Sequence, residues 1–590
     1  MKTQSTSLPS AGSDLRVFLG LLLALAGILP ALLGLGTFSA EAQQNYSTTS
    51  SIHPLVPAFF DCSKIREMGI DKQQNLRAGA IMIFCGEAKG GEPSESSLSS
   101  AFSKLVPRAM TPLSYGTTDV DLITGTETFP HITQSETFTT ANPDDPTQIV
   151  VAYNDSRGFD ANPMTGAGAS VSTDGGNTFT RLTKANGQSP FDNSSSPVVL
   201  YNKPSQTWFT VWLDGGCSGL GGYKSTTPWD PNSWTHFCVH SGLDDRESGW
   251  ADNNPTSPFF GRMYISWNDF NQPNANIFVT FSSDGGATWH SPVVVSTQST
   301  FIRNVQMTGD LATGDVYIAG MDEGGGGFPH QDTNLIFKST DGGNTWTNTY
   351  TGPQFPGPGV NFVGYFACMF LDGGGYWRYE GWGQPAAFNG IVHLVYTQHG
   401  AGSDPGDVYY IRSTDGGVTF SSPFKLNTDS TTRPQWQPNL SVSPTGTLFA
   451  TWYDARESAN CTRGDPTIPC YRMWSRKSID NGVTWLPDNI LSDVISPLPA
   501  QPDPGIVSTY VDDYDYGSAI ATKHVTSWVD GRVAISEQSQ PDAFFDSEPA
   551  TASPTPTSTP TAPPTATPRP TPTPRPRPIV LPRPPIPPPR

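Results

Sequence analysis

Five short segments of this 590-residue chain are near copies of one another: Ser172-Thr-Asp-Gly-Gly-Asn-Thr-Phe179, Ser282-Ser-Asp-Gly-Gly-Ala-Thr-Trp289, Ser339-Thr-Asp-Gly-Gly-Asn-Thr-Trp346, Ser413-Thr-Asp-Gly-Gly-Val-Thr-Phe420 and Ser478-Ile-Asp-Asn-Gly-Val-Thr-Trp485. An element that returns every 55 to 75 or so residues marks an array of equivalent supersecondary units. Units of that length, rich in strand formers, suggest four-stranded propeller blades. Charged residues make up only 15% of the chain, while glycine and proline are abundant at 58 and 56, the balance of a turn-rich all-β protein.

A second signal precedes each repeat: an apolar strand that in most copies ends at an aspartate just after an aromatic. The copies are 150–155, 209–214, 263–269, 316–322, 391–397, 448–454 and 524–530. That makes seven units. The second carries a degenerate turn at 225–234, and the seventh stops at Asp542-Ala-Phe-Phe545 with no turn after it. A last blade short of its outer strand implies ring closure by an N-terminal strand, and residues 119–128 are placed to supply it. The fold expected is an all-β propeller of seven, alternatively six, blades over 116–547.

Outside the ring, Lys2 and Arg16 precede an apolar run from Val17 to Phe38 and the small residues of Ser39-Ala-Glu-Ala42. Residues 1–42 therefore read as a signal peptide or, given the length of the run, an uncleaved anchor. Either puts the body outside the membrane, secreted or at the cell surface. Seven cysteines suit that oxidising side; proximity pairs Cys62 with Cys85, Cys217 with Cys238 and Cys461 with Cys470, leaving Cys368. Residues 46–115 form a small appendage with short helices. The Pro/Thr-rich tail, 548–590, cannot bury a core and reads as a disordered stalk or spacer. The net charge of -19 argues against nucleic acid, and an anionic ligand would need a local arginine cluster working against the field. The spacings support no zinc site; no metal or cofactor is expected, and the chain is expected to be a monomer.

Ser-x-Asp-x-Gly-x-Thr-Trp is the Asp-box, and over roughly 130–545 the repeats resemble those of the sialidase (neuraminidase) superfamily and its bacterial relatives with BNR repeats. The box itself is best read as structural, its aspartate holding the turn and its aromatic packing between blades. The resemblance implies that the boxes lie between third and fourth strands and that the site lies on the opposite face. Second strands then deliver Asp155, Asp214, Asp269, Asp322, Asp454 and Asp530 to the site face, where repetition favours loop anchoring.

The same resemblance implies three arginines converging on a substrate carboxylate, since guanidinium forks bind carboxylate bidentately. Arg303, Arg378 and Arg433, each before a first strand, are the candidates; Arg157, Arg456 and Arg532 read as braces for the neighbouring aspartates. It also implies a tyrosine nucleophile activated by a glutamate, for which Tyr514 and Glu380 are the candidates, with Asp155 or Asp252 as acid. For Tyr514 a core-facing aromatic is the alternative. The aromatic-rich insertion 351–384 reads either as a glycan platform, with Trp382 and also Trp436 stacking on sugar, or as a lid that buries its own rings. The Arg-Ile-Pro signature that precedes the first Asp-box in sialidases is absent: the stretch reads Thr128-Phe-Pro-His-Ile-Thr133. Two functions are therefore carried forward: an exo-sialidase-like glycoside hydrolase acting on extracellular glycan or glycoprotein, and a non-catalytic propeller that binds glycan or protein at the same face, tethered through the N-terminus or the tail.

Overall fold

The computed structural model describes residues 55–93, 115–184, 191–326, 329–363, 366–371, 375–458, 469–536 and 538–551. The apolar run at 17–38, Cys461 and almost all of the tail lie outside them. No helix among the described residues is long and apolar enough to cross a membrane.

Seven blades, each with four antiparallel strands and three of them with one further strand paired to the sheet, follow one another along the chain. Their inner strands are, for blades 1 to 7, Gln134–Ala141, Ser195–Asn202, Asp244–Ala251, Arg303–Gly309, Gln384–Phe388, Gln435–Val442 and Ser518–Ala519. The seven apolar strands singled out in the sequence are the second strands, buried along their length because each lies in mid-sheet with a neighbouring blade against either face. The seventh blade takes its outer strand from the other end of the chain, Val120–Asp121 pairing with Phe545 and Phe544. Closure thus joins the two ends of the ring in one sheet, and the six-bladed alternative falls.

The five repeated turns, four Asp-Gly-Gly and one Asp480-Asn-Gly482, share one hydrogen-bond scheme between third and fourth strands. In the first, Ser172 Oγ donates to Asp174 Oδ1 at 2.8 Å and accepts from Gly176 N at 2.9 Å, while Asp174 takes Thr178 N at 3.0 Å and Thr178 Oγ1 at 2.6 Å. Asp284, Asp341, Asp415 and Asp480 repeat it. The closing aromatics bridge blades: Phe179 meets Phe545 at 4.9 Å and Trp485 meets Tyr410 at 5.0 Å. These turns, with the ends of the inner strands, form what we term the back face. The front face carries the starts of inner strands and the ends of second strands.

Disulfides join Cys62 to Cys85 and Cys217 to Cys238; Cys470 is also disulfide-bonded. The segment 55–93 is built on two 3₁₀ turns and one helix, Leu76–Phe84, whose N-cap Asn75 accepts from Ala78 N. It sits on the front face. Gln74 N and Asn75 Nδ2 donate to Asp245, and Arg303 Nη1 donates to the Lys72 carbonyl.

Candidate functional site at the front-face centre

The repeated aspartates at second-strand ends are loop anchors. Asp155, Asp214, Asp269, Asp322, Asp454 and Asp530 each accept from the backbone N–H two residues on, at Arg157, Gly216, Asn271, Gly324, Arg456 and Arg532. Asp155 is wholly buried and clamped by Arg181, whose Nη2 lies 2.7 Å from Oδ2 and whose Nη1 binds Glu127. This corrects its assignment as the acid: its charge is consumed by a structural ion pair. Asp252 likewise anchors a back-face loop through Asn254 N and Ser257 Oγ. Arg456 and Arg532 brace Asp454 and Asp530 at 2.6 Å, as expected, whereas Arg157 pairs with Asp160.

The inner strands converge on the axis, and four of them break their register in mid-strand by a bulge with one residue in the left-handed region. These residues are Glu136 (φ 54°), Ser196 (60°), Arg246 (59°) and Gln437 (50°). A non-glycine residue pays steric strain at such a φ. The consequence is that a side chain which alternation would send between blades is re-aimed.

A further strand, Asp515–Tyr516, runs parallel to the blade 1 inner strand inside the ring. It is the end of Tyr510-Val-Asp-Asp-Tyr-Asp-Tyr516, which supplies most of the remaining groups. Glu136 N donates to Asp512 at 2.6 Å, Gln437 Nε2 donates to Asp512 at 2.5 Å, and Tyr453 Oη donates to Asp515 at 2.7 Å.

At the centre Tyr510 Oη donates to Glu136 Oε1 at 2.5 Å. Arg378 stacks over the Tyr510 ring at 4.8 Å and holds Asp513 at 2.9 Å. Arg246 is sandwiched between the Tyr514 ring at 4.2 Å and the Trp382 ring at 4.5 Å. All three of its guanidinium nitrogens are buried without a hydrogen-bond partner, as are both carboxyl oxygens of Glu247, Glu136 Oε2 and Tyr514 Oη. Burial, reinforced by the charge of Asp513, pushes the Glu136 carboxyl up to about 7. Burial holds Glu247 well above the usual carboxylate range. The Tyr510 and Tyr514 phenols are also raised, by burial first and by Glu136 second. Two buried carboxyls whose ionisation is disfavoured, one of them pushed up to about 7, stand beside a cation, an arrangement suited to proton transfer.

The sequence-derived site is met only in part. Arg303 and Arg378 do reach this region, but each is engaged: Arg303 forks onto Glu323 at 2.9 and 3.1 Å, and Arg378 holds Asp513. Arg433 lies half-buried before the blade 6 inner strand, its carbonyl accepting from Gln435 Nε2. The third arginine at the centre is Arg246, which sequence reading missed. The expected tyrosine–glutamate pair exists, but its hydrogen bond joins Tyr510 to Glu136; the Tyr514 phenol bears on the same Glu136 carboxyl and helps to hold it down, and the buried Glu380 is not joined to Tyr514. Trp436 is buried against Trp377 at 5.2 Å and Tyr453 at 5.5 Å, and Trp382 is buried with Nε1 donating to Glu323. Neither presents a face to solvent. The described part of the insertion behaves as the self-burying lid. Asp244-Asp-Arg-Glu247 carried the missed signal: four consecutive charges in a strand position where the other blades are largely uncharged.

Two groups of possible metal-ligating atoms occur among the described residues. Cys217, His236 and Cys238 include the disulfide, and in His240, Asp244 and Asp269 the imidazole is already hydrogen-bonded to Asp244 at 2.8 Å.

No protein-family model matches the sequence, and no curated protein matches it. Solved structures do. A PL25 ulvan lyase aligns at 12% identity over 72% of this chain and 97% of its own, with a TM-score of 0.40. The Hadza microbial sialidase Hz136 aligns at 14% over 71% and 66%, with a TM-score of 0.33. The GH93 α-L-arabinofuranosidase of Fusarium graminearum aligns at 12% over 52% and 93%, with a TM-score of 0.32. At such identities and scores the likeness concerns the course of the chain and assigns no substrate.

Proposed function

We propose that this chain is an exported propeller that acts on an extracellular glycan bearing an anionic group, as a glycoside hydrolase of the sialidase-like kind. The observation that carries the reading is the Tyr510–Glu136 hydrogen bond beside the unpartnered guanidinium of Arg246. Tyr510 Oη would attack the anomeric carbon as its proton passes to Glu136. Glu247, whose ionisation burial disfavours, would act as the acid and give a proton to the departing oxygen. Water would then attack the anomeric carbon of the tyrosyl glycoside, giving one proton to Glu247 and its hydroxyl to the sugar, while Glu136 returns the proton to the departing phenolate. Arg246 would hold the substrate's carboxylate or sulfate. Export is supported by the two disulfides and the leader-like residues 1–42.

The second reading, a glycan-binding module without turnover, is favoured by one observation: Arg303 and Arg378 already hold carboxylates of the chain itself. Arg246→Met separates the site from other surfaces under either reading. The stacking of Arg246 between Tyr514 and Trp382 is lost in the variant, and binding is compared on the fraction that folds, because the variant should be less stable by about 2 kcal/mol. It should also lose at least about tenfold in affinity for an anionic sugar. Tyr510→Phe decides between the readings: lost turnover of a fluorogenic sialoside or uronide with retained binding supports the enzyme. Retained turnover removes Tyr510 from the mechanism, and unchanged affinity in Arg246→Met removes the site.

A further inference from the structure

Of the groups just described, Tyr510 is covered by the segment 55–93, which also docks on Asp245 and Arg303 beside them. Tyr510 packs in one apolar cluster with Val56, Ile65, Ile70, Leu76 and Ile81 of that segment. The Lys72 carbonyl, the Gln74 N–H and the Asn75 amide occupy hydrogen-bonding positions of Arg303 and Asp245 at 2.7, 3.0 and 2.7 Å. Further on, Ser508 N donates to the Lys89 carbonyl at 2.9 Å, and Gly91 N lies 3.0 Å from the Asp503 carbonyl. Lid and site therefore meet through a modest set of contacts, not a continuous sheet.

The fit is poor in hydrogen-bonding terms. At the ring centre the Arg246 guanidinium and the Glu247 carboxyl have no hydrogen-bond partner, and on the segment the 2%-exposed Gln74 side chain is unpartnered at both polar atoms. Native interiors seldom leave so many polar groups unmet in one place, and each is a standing cost of the closed state. A polyhydroxylated, anionic ligand satisfies them; the lid does not. The segment is also too small to be held by its own core. It has one nine-residue helix, and its cluster is completed by Ile506 and Tyr510 of the propeller. A chain of this size ordinarily needs a cross-link. The cross-link here is Cys62–Cys85, with Cys62 exposed and Cys85 half-buried.

We propose that residues 55–93 form a thiol-releasable plug: reduction of the exposed Cys62–Cys85 disulfide loosens the segment and uncovers Tyr510, Asp245 and Arg303 for a sugar. The step takes two electrons from an external dithiol, which ends as a cyclic disulfide, while Cys62 and Cys85 each end as a thiol carrying one of its protons. The ligand part of this inference rests on the function proposed above; the opening of the plug does not.

Hydrogen exchange of the full chain, read by mass spectrometry with and without dithiothreitol, tests the opening. The Gly91, Gln74 and Ser508 amides, which donate across or beside the contact, should exchange at least tenfold faster on reduction, and the second strand Val316–Asp322 should stay protected. The variant Cys62→Ser/Cys85→Ser should show the same pattern without reductant, which excludes effects of the other disulfides. Unchanged exchange at these amides in both experiments overturns the plug, as does exchange that rises equally in Val316–Asp322. Binding of a sialoside or uronide is then measured on the opened protein. Opening with a tenfold or greater gain in affinity supports plug and function together. Opening without any gain leaves the plug standing and removes the ligand class.

Discussion

Asp155→Ala distinguishes most sharply between a catalytic and a structural reading of the conspicuous front-face aspartates. Asp155 and Arg181 are both 0% exposed, and the guanidinium makes contacts of 2.7, 2.8 and 3.1 Å with the carboxylate. Removing the carboxylate strands a buried cation, at a cost of about 3–5 kcal/mol. Glu127, which also binds Arg181, holds the loss to the lower part of that range. The Arg157 N–H loses its acceptor as well, adding about 1 kcal/mol, for a total of roughly 4–5 kcal/mol. Unfolding entropy is about 2.1 cal/mol/K per residue, so a ring of roughly 430 residues should lose about 4–6 °C in Tm. Scanning calorimetry reads this directly. Asp341→Ala is the comparison: it also removes an acceptor, from Ser339 and Thr345, but strands no charge, and should cost about 1–3 kcal/mol. An Asp155→Ala protein that melts with the parent, or no lower than Asp341→Ala, would refute the anchor assignment.

Stability should also fall as pH rises from about 4 to 7. Glu127, Glu136, Asp404 and Asp546 are pushed up to about 7 and Asp119 to about 6, burial being the first cause in each. The unfolded chain sheds these protons from about pH 4 upward, so over this window the folded state binds more of them. Below it the sign reverses, because Thr288 holds Asp284 down to about 2; Tm should therefore peak near pH 4–5, and a Tm that climbs from pH 5 to 7 would contradict the assignment. Ring closure makes a separate prediction. Deleting 116–123 removes the outer strand of blade 7, the Thr117–Asp546 hydrogen bond and the Asp119–Arg532 ion pair, and should replace a single calorimetric transition by a broad, lower one; an unchanged endotherm would show that the last blade is held shut by other contacts.

The sequence by itself determined what is local. A second strand, in most units its terminal aspartate, and in five units the repeated turn lie within one stretch of chain, so the units and their order could be counted along it. Loop anchoring by Asp454 or Asp530 was legible for the same reason, since acceptor and N–H stand two residues apart. Only the tertiary structure decided which polar groups meet on the axis. Glu136 and Tyr510 are 374 residues apart, and Arg246 reaches its Tyr514 and Trp382 sandwich through a left-handed bulge that strand alternation does not announce. That is why Tyr514 drew attention when Tyr510 makes the bond, and why Arg433 was placed where Arg246 stands. Position over the ring was equally hidden: nothing in 55–93 indicates that Lys72, Gln74 and Asn75 dock on Arg303 and Asp245, because those contacts join surfaces that exist only after the inner strands have converged.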